Sequence, residues 1–397
     1  MLVLESPFML RAWLSFACLL VGCSSQGSGG AGSGPSGGAP GAAGNNATGG
    51  AGTSGTVGAS GAVNGGAAVS TSAGTAGVGG AAAAGSGGIA AAGSAGAGTD
   101  VPKPSGLGPA GSSCAAGATY GNPLPQVRHA QLIRGNFGEL EGPVWVAAQH
   151  ALYFCEAGDP TGQIHKYTPA DRKIATFIDN IGVGGLAMDP QGKLVAATYD
   201  KLRLSRIDPV TGARSDVEGA AAYMGKPFNE VNDVVVRADG NMYFSDPGYG
   251  PAAGNQDAMA FYRLSPAGVV TRIAAAKNAN GVALSPDGAW LYLATTGGPA
   301  LQRFALAADG SPMGASTTWK DPESDGMAVD CAGNLYLAAA GVIKVVSPSD
   351  EPLGTIDSLG TSYVTNAAFG GEDRKTLFIT TGEALYQLAL EVPGFPN

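Results

Sequence analysis

The chain has 397 residues, of which 65 are glycine and only 13% are charged. Its formal net charge of -9 repels phosphate backbones, which argues against nucleic acid as a partner. No apolar run is long enough to cross a bilayer as a helix, so no membrane-spanning segment is expected.

In chain order, Arg11 precedes an apolar run from Ala12 to Val21, which ends in Leu20-Val21-Gly22-Cys23. A short basic region, a short apolar core and small residues before a cut describe a signal peptide over residues 1–22. The Leu-Val-Gly-Cys ending resembles the bacterial lipoprotein box, so Cys23 is expected to carry the lipid. The chain is then expected to be exported, and anchored on the periplasmic or cell-surface side of a bacterial membrane. Between Ser24 and Thr99 there is no aromatic and no charged side chain. Such a segment cannot bury enough apolar surface to offset its ordering entropy, so residues 23–113 read as a disordered Gly/Ala/Ser-rich tether. Its reach is on the order of 50 Å, which would hold a folded domain clear of the membrane.

Cys18 leaves with the signal peptide, and Cys114, Cys155 and Cys331 remain in the folded part. An oxidising compartment permits one disulfide and leaves one thiol over. The favoured pair is Cys114 with Cys331, both in turn-rich sequence. Cys155 follows Leu152-Tyr153-Phe154 and is expected to be a buried free thiol.

From there to Asn397 one pattern recurs: a short apolar strand, an Asp/Pro/Gly/Asn turn, then a strand with Leu-Tyr or a similar pair. Its copies begin at Glu141, Gly184, Asn232, Asn280, Asp325 and Thr365. A period of about 45 residues with hairpin turns between β-rich runs is the mark of a propeller, one four-stranded blade per copy. Residues 114–397 are therefore predicted to be an all-β, six-bladed β-propeller. The segment around Val127–Arg134 is predicted to supply the outer strand of the last blade and close the ring.

In a propeller the innermost strand of every blade starts at the same height near the axis. One residue per blade at one register then converges on a single point. Four of the six residues there are oxygen donors: Glu141, Asn232, Asn280 and Asp325. No His or Cys stands among them. Hard oxygen ligands suit a divalent ion, Ca²⁺ best, with Mg²⁺ or Mn²⁺ as alternatives. Each Asn-Gly or Asp-Gly pair taken alone is an ordinary turn, and an axial ion can be purely structural. The three histidines, His129, His150 and His165, fall outside the converging positions.

Several stretches in order resemble one known family. They are Glu141-Gly142-Pro143-Val144-Trp145, Asn232-Asp233-Val234-Val235-Val236 through Phe244-Ser245-Asp246-Pro247-Gly248-Tyr249-Gly250, Asn280-Gly281-Val282-Ala283, Asp325-Gly326-Met327-Ala328 and Asn366-Ala367-Ala368-Phe369. They resemble the SMP-30/gluconolactonase (regucalcin-like) propellers. The resemblance implies a divalent ion, calcium or zinc, held by Glu141, Asn280 and Asp325, with Asn232 touching substrate or completing the shell. It implies hydrolysis of a lactone, sugar lactones above all, with the ion polarising the carbonyl and water attacking. Asp325 is the expected base and Glu141 the second choice. Two positions depart from the family: Glu230 stands where some relatives carry an Arg that helps hold a sugar lactone, and Thr295 where an Asp is frequent. The expected partner is a small lactone or ester, the membrane is met only through the lipid, and a monomer is the expected state. The rival reading is a non-catalytic tethered propeller that binds a small molecule or partner around a structural ion.

Overall fold

The structure is a computed structural model that describes residues 108–110, 114–115, 117–158, 161–250, 252–297, 301–320, 324–357, 359–361 and 363–395. The signal segment, Cys23 and the low-complexity stretch up to residue 107 lie outside the described residues.

The described strands form six four-stranded antiparallel sheets. Strand β1 (Gln131–Gly135) comes first. Blade 1 follows as β2 (Leu140–Val146), β3 (Ala151–Glu156), β4 (Gln163–Thr168) and β5 (Lys173–Asp179). Blade 2 is β6 (Val183–Met188), β7 (Leu194–Thr198), β8 (Arg203–Ile207) and β9 (Arg214–Asp216). Blade 3 is β10 (Val234–Val236), β11 (Met242–Asp246), β12 (Ala260–Leu264) and β13 (Val270–Ala275). Blade 4 is β14 (Ala279–Leu284), β15 (Trp290–Thr295), β16 (Gln302–Leu306) and β17 (Pro312–Thr318). Blade 5 is β18 (Met327–Val329), β19 (Leu335–Ala339), β20 (Val342–Val346) and β21 (Pro352–Ile356). Blade 6 is β22 (Val364–Gly370), β23 (Thr376–Thr381) and β24 (Ala384–Ala389), completed by β1.

The first strand of each blade is the innermost. β2 touches β6, β6 touches β10, and so on around to β22, which touches β2 again. The predicted six-bladed architecture is borne out, and so is the closure: β1 pairs with β24, Gln131 opposite Gln387 and Gly135 opposite Ala384. A β-strand left at an edge offers unpaired N–H and C=O groups, and this closure covers one such edge.

The core is divided as the ring is. Among the described residues there are six apolar clusters, one between each pair of neighbouring blades. Trp145 of blade 1 stacks on Phe378 of blade 6 at 5.9 Å between centroids, across the closing interface. The recurring Leu-Tyr pair has a physical purpose. Its tyrosine is buried on the second strand and can reach a carbonyl of the next blade: Tyr153 donates to Pro209 O, and Tyr243 to Gly310 O, each at 2.7 Å. A large apolar ring thus fills the blade interface while its hydroxyl keeps a partner.

Cys114 and Cys331 are joined as a disulfide, and Cys155 on β3 is a buried free thiol. The contacts of the propeller begin slightly upstream of Cys114, since Ala110 N–H donates to Val236 O on blade 3 at 2.9 Å.

A chain that begins at Phe137 lacks β1 and leaves β24 as an open edge. It is expected to melt at a lower temperature and to form larger species on size-exclusion chromatography. A chain that begins at residue 108 keeps the closure and should do neither.

Candidate active site at the propeller axis

The six inner strands approach the axis so closely that side chains there are rationed. Gly142 has φ +49°, and a Cβ on it would lie 2.5 Å from Gly184 O of the next blade. A Cβ on Gly281 would strike the Asp325 carbonyl, and one on Gly326 would strike the Asn366 side chain. Backbone hydrogen bonds stitch the same turns together: Gly185 N–H to Asn232 O at 2.6 Å, Gly281 N–H to Asp325 O at 3.0 Å, and Gly326 N–H to Thr365 O at 2.7 Å. Glycine after the register residue permits this close approach.

That approach brings the four predicted donors together. Glu141 and Asp325 are buried, and Asn232 and Asn280 are held beside them. Burial pushes the Glu141 carboxyl well above its ordinary value, and the nearby Asp325, Glu139 and Asp233 charges push it the same way. Burial likewise raises Asp325 to about 8. The strongest charges acting on Glu141 are all carboxylates. Asn280 Nδ2 donates to Thr296 Oγ1 at 2.7 Å, and Asn232 Nδ2 to the Tyr199 hydroxyl at 3.2 Å. Each amide commits one N–H this way, and its Oδ1 can only accept.

At the two remaining register positions other residues step in. Gly184 offers no side chain, and the Tyr199 hydroxyl fills the place its Cβ would take. Thr365 turns away, donating to Leu140 O at 2.5 Å. Instead Asn366, one residue on, donates to Glu141 Oε2 at 3.3 Å. Asp233 occupies the equivalent second position in blade 3. It accepts from its own Val234 N–H at 2.9 Å and from Val282 N–H of blade 4 at 3.1 Å, and burial raises it to about 7. Asp233 and Asn366 were legible in the repeat, because the other four copies carry glycine there.

Three tyrosines were not predicted. Tyr363 lies 2.8 Å from Asp325 Oδ2 and 3.1 Å from Glu139 Oε1 through its hydroxyl. Tyr199 caps Asn232, and the Tyr249 hydroxyl lies beside Thr296 and Asn280. Burial raises the Tyr199 and Tyr363 phenols and keeps both protonated, whereas the Tyr249 ring is half exposed. Tyr363 directly precedes β22, Tyr199 directly follows β7 and Tyr249 lies in a loop, so no repeat marks them. Of the two departures from the family pattern, Glu230 is buried beside this site, its carboxylate packed on Gly250. Thr295 is buried at the end of β15 opposite Ala279, and the next residue, Thr296, is the one that touches Asn280. A cavity of about 30 Å³ opens beside Asp325, lined also by Ala338, Ala340, Thr296 and Tyr363. The histidines lie elsewhere: His129 pairs with Asp357, His150 with Glu372, and His165 with Glu156.

Among the described residues, no three His, Cys, Asp or Glu side chains are grouped as a metal site. The axial set has two carboxylates and completes its oxygens with amides. A divalent ion fits it on two grounds. Asp325 Oδ1 is buried without a hydrogen-bond partner, and the nearby Asp325 charge raises the proton affinity of the buried Glu141, a cost that a cation would relieve.

These features define a six-bladed propeller with an oxygen-donor site on its axis. The chain belongs to the SMP-30/Gluconolactonase/LRE-like region family, whose model matches residues 140–383, so the resemblance read from the motifs is borne out. A gluconolactonase of Zymomonas mobilis is 30% identical over 297 residues, spanning 66% of this chain and 82% of that protein. A pentonolactonase of Haloferax volcanii is 27% identical over 249 residues, spanning 61% of this chain and 80% of its own. The solved structure of a gluconolactonase from Xanthomonas campestris superposes with a TM-score of 0.58 at 25% identity, over 70% of this chain and 99% of that one.

The loop that carries Glu230 and Asn232 into the site is tied to Asp246. That carboxylate accepts from Asn229 N–H and Nδ2, each at 3.1 Å, and from Glu230 N–H at 2.7 Å. Burial raises Asp246 to about 6, against about 3.9 unfolded. The folded state thus holds its proton longer than the unfolded state does. The stability this group contributes is fully present below about pH 4 and is lost as the pH rises to about 6. Melting temperatures measured from pH 4 to 7 should therefore fall more steeply with pH in the natural protein than in Asp246→Asn. Equal slopes would show that Asp246 does not titrate in this way.

Proposed function

We propose that the protein is a metal-dependent lactonase that opens a sugar lactone by attack of water on the ring carbonyl. The observation that supports this most is the axial pair, Glu141 and Asp325. They are two buried carboxylates from separate blades, one with an unpartnered oxygen, in a chain whose relatives are named for lactone hydrolysis. Glu141, Asn232, Asn280 and Asp325 would hold the ion, with Ca²⁺ favoured by the all-oxygen set and Zn²⁺, Mg²⁺ or Mn²⁺ as alternatives. When bound, the ion supplies Lewis-acid polarisation of the carbonyl oxygen.

The side chains divide the rest of the work. Tyr363 fixes Asp325 Oδ2, which leaves Oδ1 to take a proton from the attacking water. Glu141 is the second candidate for that proton. Asn232 and the Tyr199 hydroxyl beside it orient the lactone through its hydroxyls. Glu230 borders the same face and contacts the substrate from the blade 3 side.

Chelation followed by dialysis should abolish hydrolysis of aldonolactones, and Ca²⁺ should restore it; activity indifferent to chelator would remove the metal from the reaction. Asp325→Ala should lower kcat/KM by about 100-fold or more and weaken metal binding measured by calorimetry. A folded, metal-loaded protein inert across a lactone panel would instead favour a non-catalytic binding propeller.

We further propose that the chain is exported and lipid-anchored through Cys23. The support is the segment ending Leu20-Val21-Gly22-Cys23 and the pairing of Cys114 with Cys331, which suits an oxidising compartment. Metabolic labelling with a radioactive fatty acid should mark the natural chain and not Cys23→Ala.

A further inference from the structure

We propose that Tyr249 is the stacking platform of this site: a sugar lactone lays one face, the face that carries its C–H bonds, flat on the Tyr249 ring. The inference rests on the sugar-lactone reading above and names the shape of lactone within it.

The first observation is the reversed posture of this side chain. A tyrosine on a protein surface ordinarily packs its ring on apolar neighbours and leaves its hydroxyl in water. Tyr249 does the opposite. Its hydroxyl is within hydrogen-bonding reach of Thr296 and Asn280, and Asn280 is only 6% exposed. Its ring stays half in water: at 50% exposure it is the one aromatic residue among the exposed large apolar side chains of the described residues. An aromatic face held wet beside a polar site is surface for a ligand to cover.

The second observation is that the ring stands on a rigid shelf. Tyr249 lies in the loop between β11 and β12, and this loop is bonded to the segment before β10. Asn229 Oδ1 accepts from Gly254 N–H at 3.0 Å and from Gln256 N–H at 2.9 Å, and Asn255 Nδ2 donates to Phe228 O at 3.0 Å. Gln256 Nε2 donates to Lys226 O and to Pro227 O, each at 2.8 Å. Gly248 has φ +103°, which glycine adopts without strain. The ring is therefore placed before a ligand arrives, and little ordering cost remains to be met on binding.

The third observation is its location. Thr296, which meets the Tyr249 hydroxyl, also lines the cavity beside Asp325. Tyr249 thus stands at the rim of that cavity, next to the unpartnered Asp325 Oδ1.

The chemistry of stacking then selects the ligand. The face of an aromatic ring is electron-rich. In a sugar lactone each ring carbon beyond the carbonyl carries an electron-withdrawing oxygen, so its C–H hydrogens are partly positive. When the hydroxyls are equatorial, both faces of the ring present axial C–H bonds and lie flat on an aromatic surface. A hydroxyl that stands axial on the stacked face lifts the ring away. The equatorial hydroxyls point outward from the rim, where Asn232 and Tyr199 can bond them.

The test uses the full chain loaded with Ca²⁺ and calorimetry with gluconolactam, the non-hydrolysable lactam of glucono-1,5-lactone. Tyr249→Phe keeps the ring and removes the hydroxyl; Tyr249→Leu removes the ring and keeps an apolar side chain. The first should bind within about threefold of the natural protein, and the second about tenfold more weakly. Tyr249→Trp, with a wider face, should bind at least as tightly as Tyr249→Phe. The lactams of the galacto and allo series each carry one axial hydroxyl, on opposite faces. One of the two should bind the natural protein about tenfold more weakly than gluconolactam, and that gap should close in Tyr249→Leu. Equal affinity for gluconolactam in the natural protein and Tyr249→Leu would overturn the platform. So would a loss in Tyr249→Phe as large as in Tyr249→Leu, since the hydroxyl and not the ring would then be responsible. No turnover of any lactone, with the lactams still bound in that order, would remove the hydrolytic reading and keep the platform; turnover with lactam affinity unchanged in Tyr249→Leu would do the reverse.

Discussion

Six strands can meet around one axis only if the residues that face each other there are small or share hydrogen bonds. In this protein both conditions hold at the same turns. Glycines at 142, 185, 281 and 326 let neighbouring backbones touch. The N–H groups of 185, 281 and 326 then bond to carbonyls of the next blade. Everything else at the axis follows. The residue before each of these glycines sits at a fixed height, and the side chains carried there share a small space. Where the second position is not glycine, as at Asp233 and Asn366, the side chain itself takes over the cross-blade contact.

The same crowding sets the electrostatics. Glu141 and Asp325 would be ordinary carboxylates on a surface. Drawn to one point and away from water, each disfavours the charge of the other, and the cost of burial is met only by a cation or a proton. The surrounding hydroxyls and amides hold the oxygens in place without neutralising them.

The periphery is organised for rigidity. Apolar clusters fill each blade interface, tyrosines such as Tyr153 and Tyr243 tie one blade to the next, and β1 completes blade 6. A ring closed in this way holds the axial groups still. Glu139, Glu230, Tyr249 and Tyr363 sit on loops and strand ends around these groups.

Local sequence determined the blade count, the closing segment and the four axial donors, because a repeat forces equivalent residues to equivalent heights. It also carried Asp233 and Asn366, one step along the same register. Tertiary structure alone decided the rest. Tyr199 and Tyr363 lie in no common position of the repeat, yet Tyr199 fills the gap left by Gly184 and Tyr363 holds Asp325. Glu139 reads as a solvated charge in a loop until Tyr363 links it to Asp325. Burial and approach are properties of the closed ring, and no single blade contains them. For that reason the pattern could name the donors, and only the assembled propeller shows that their charges meet uncompensated at one point.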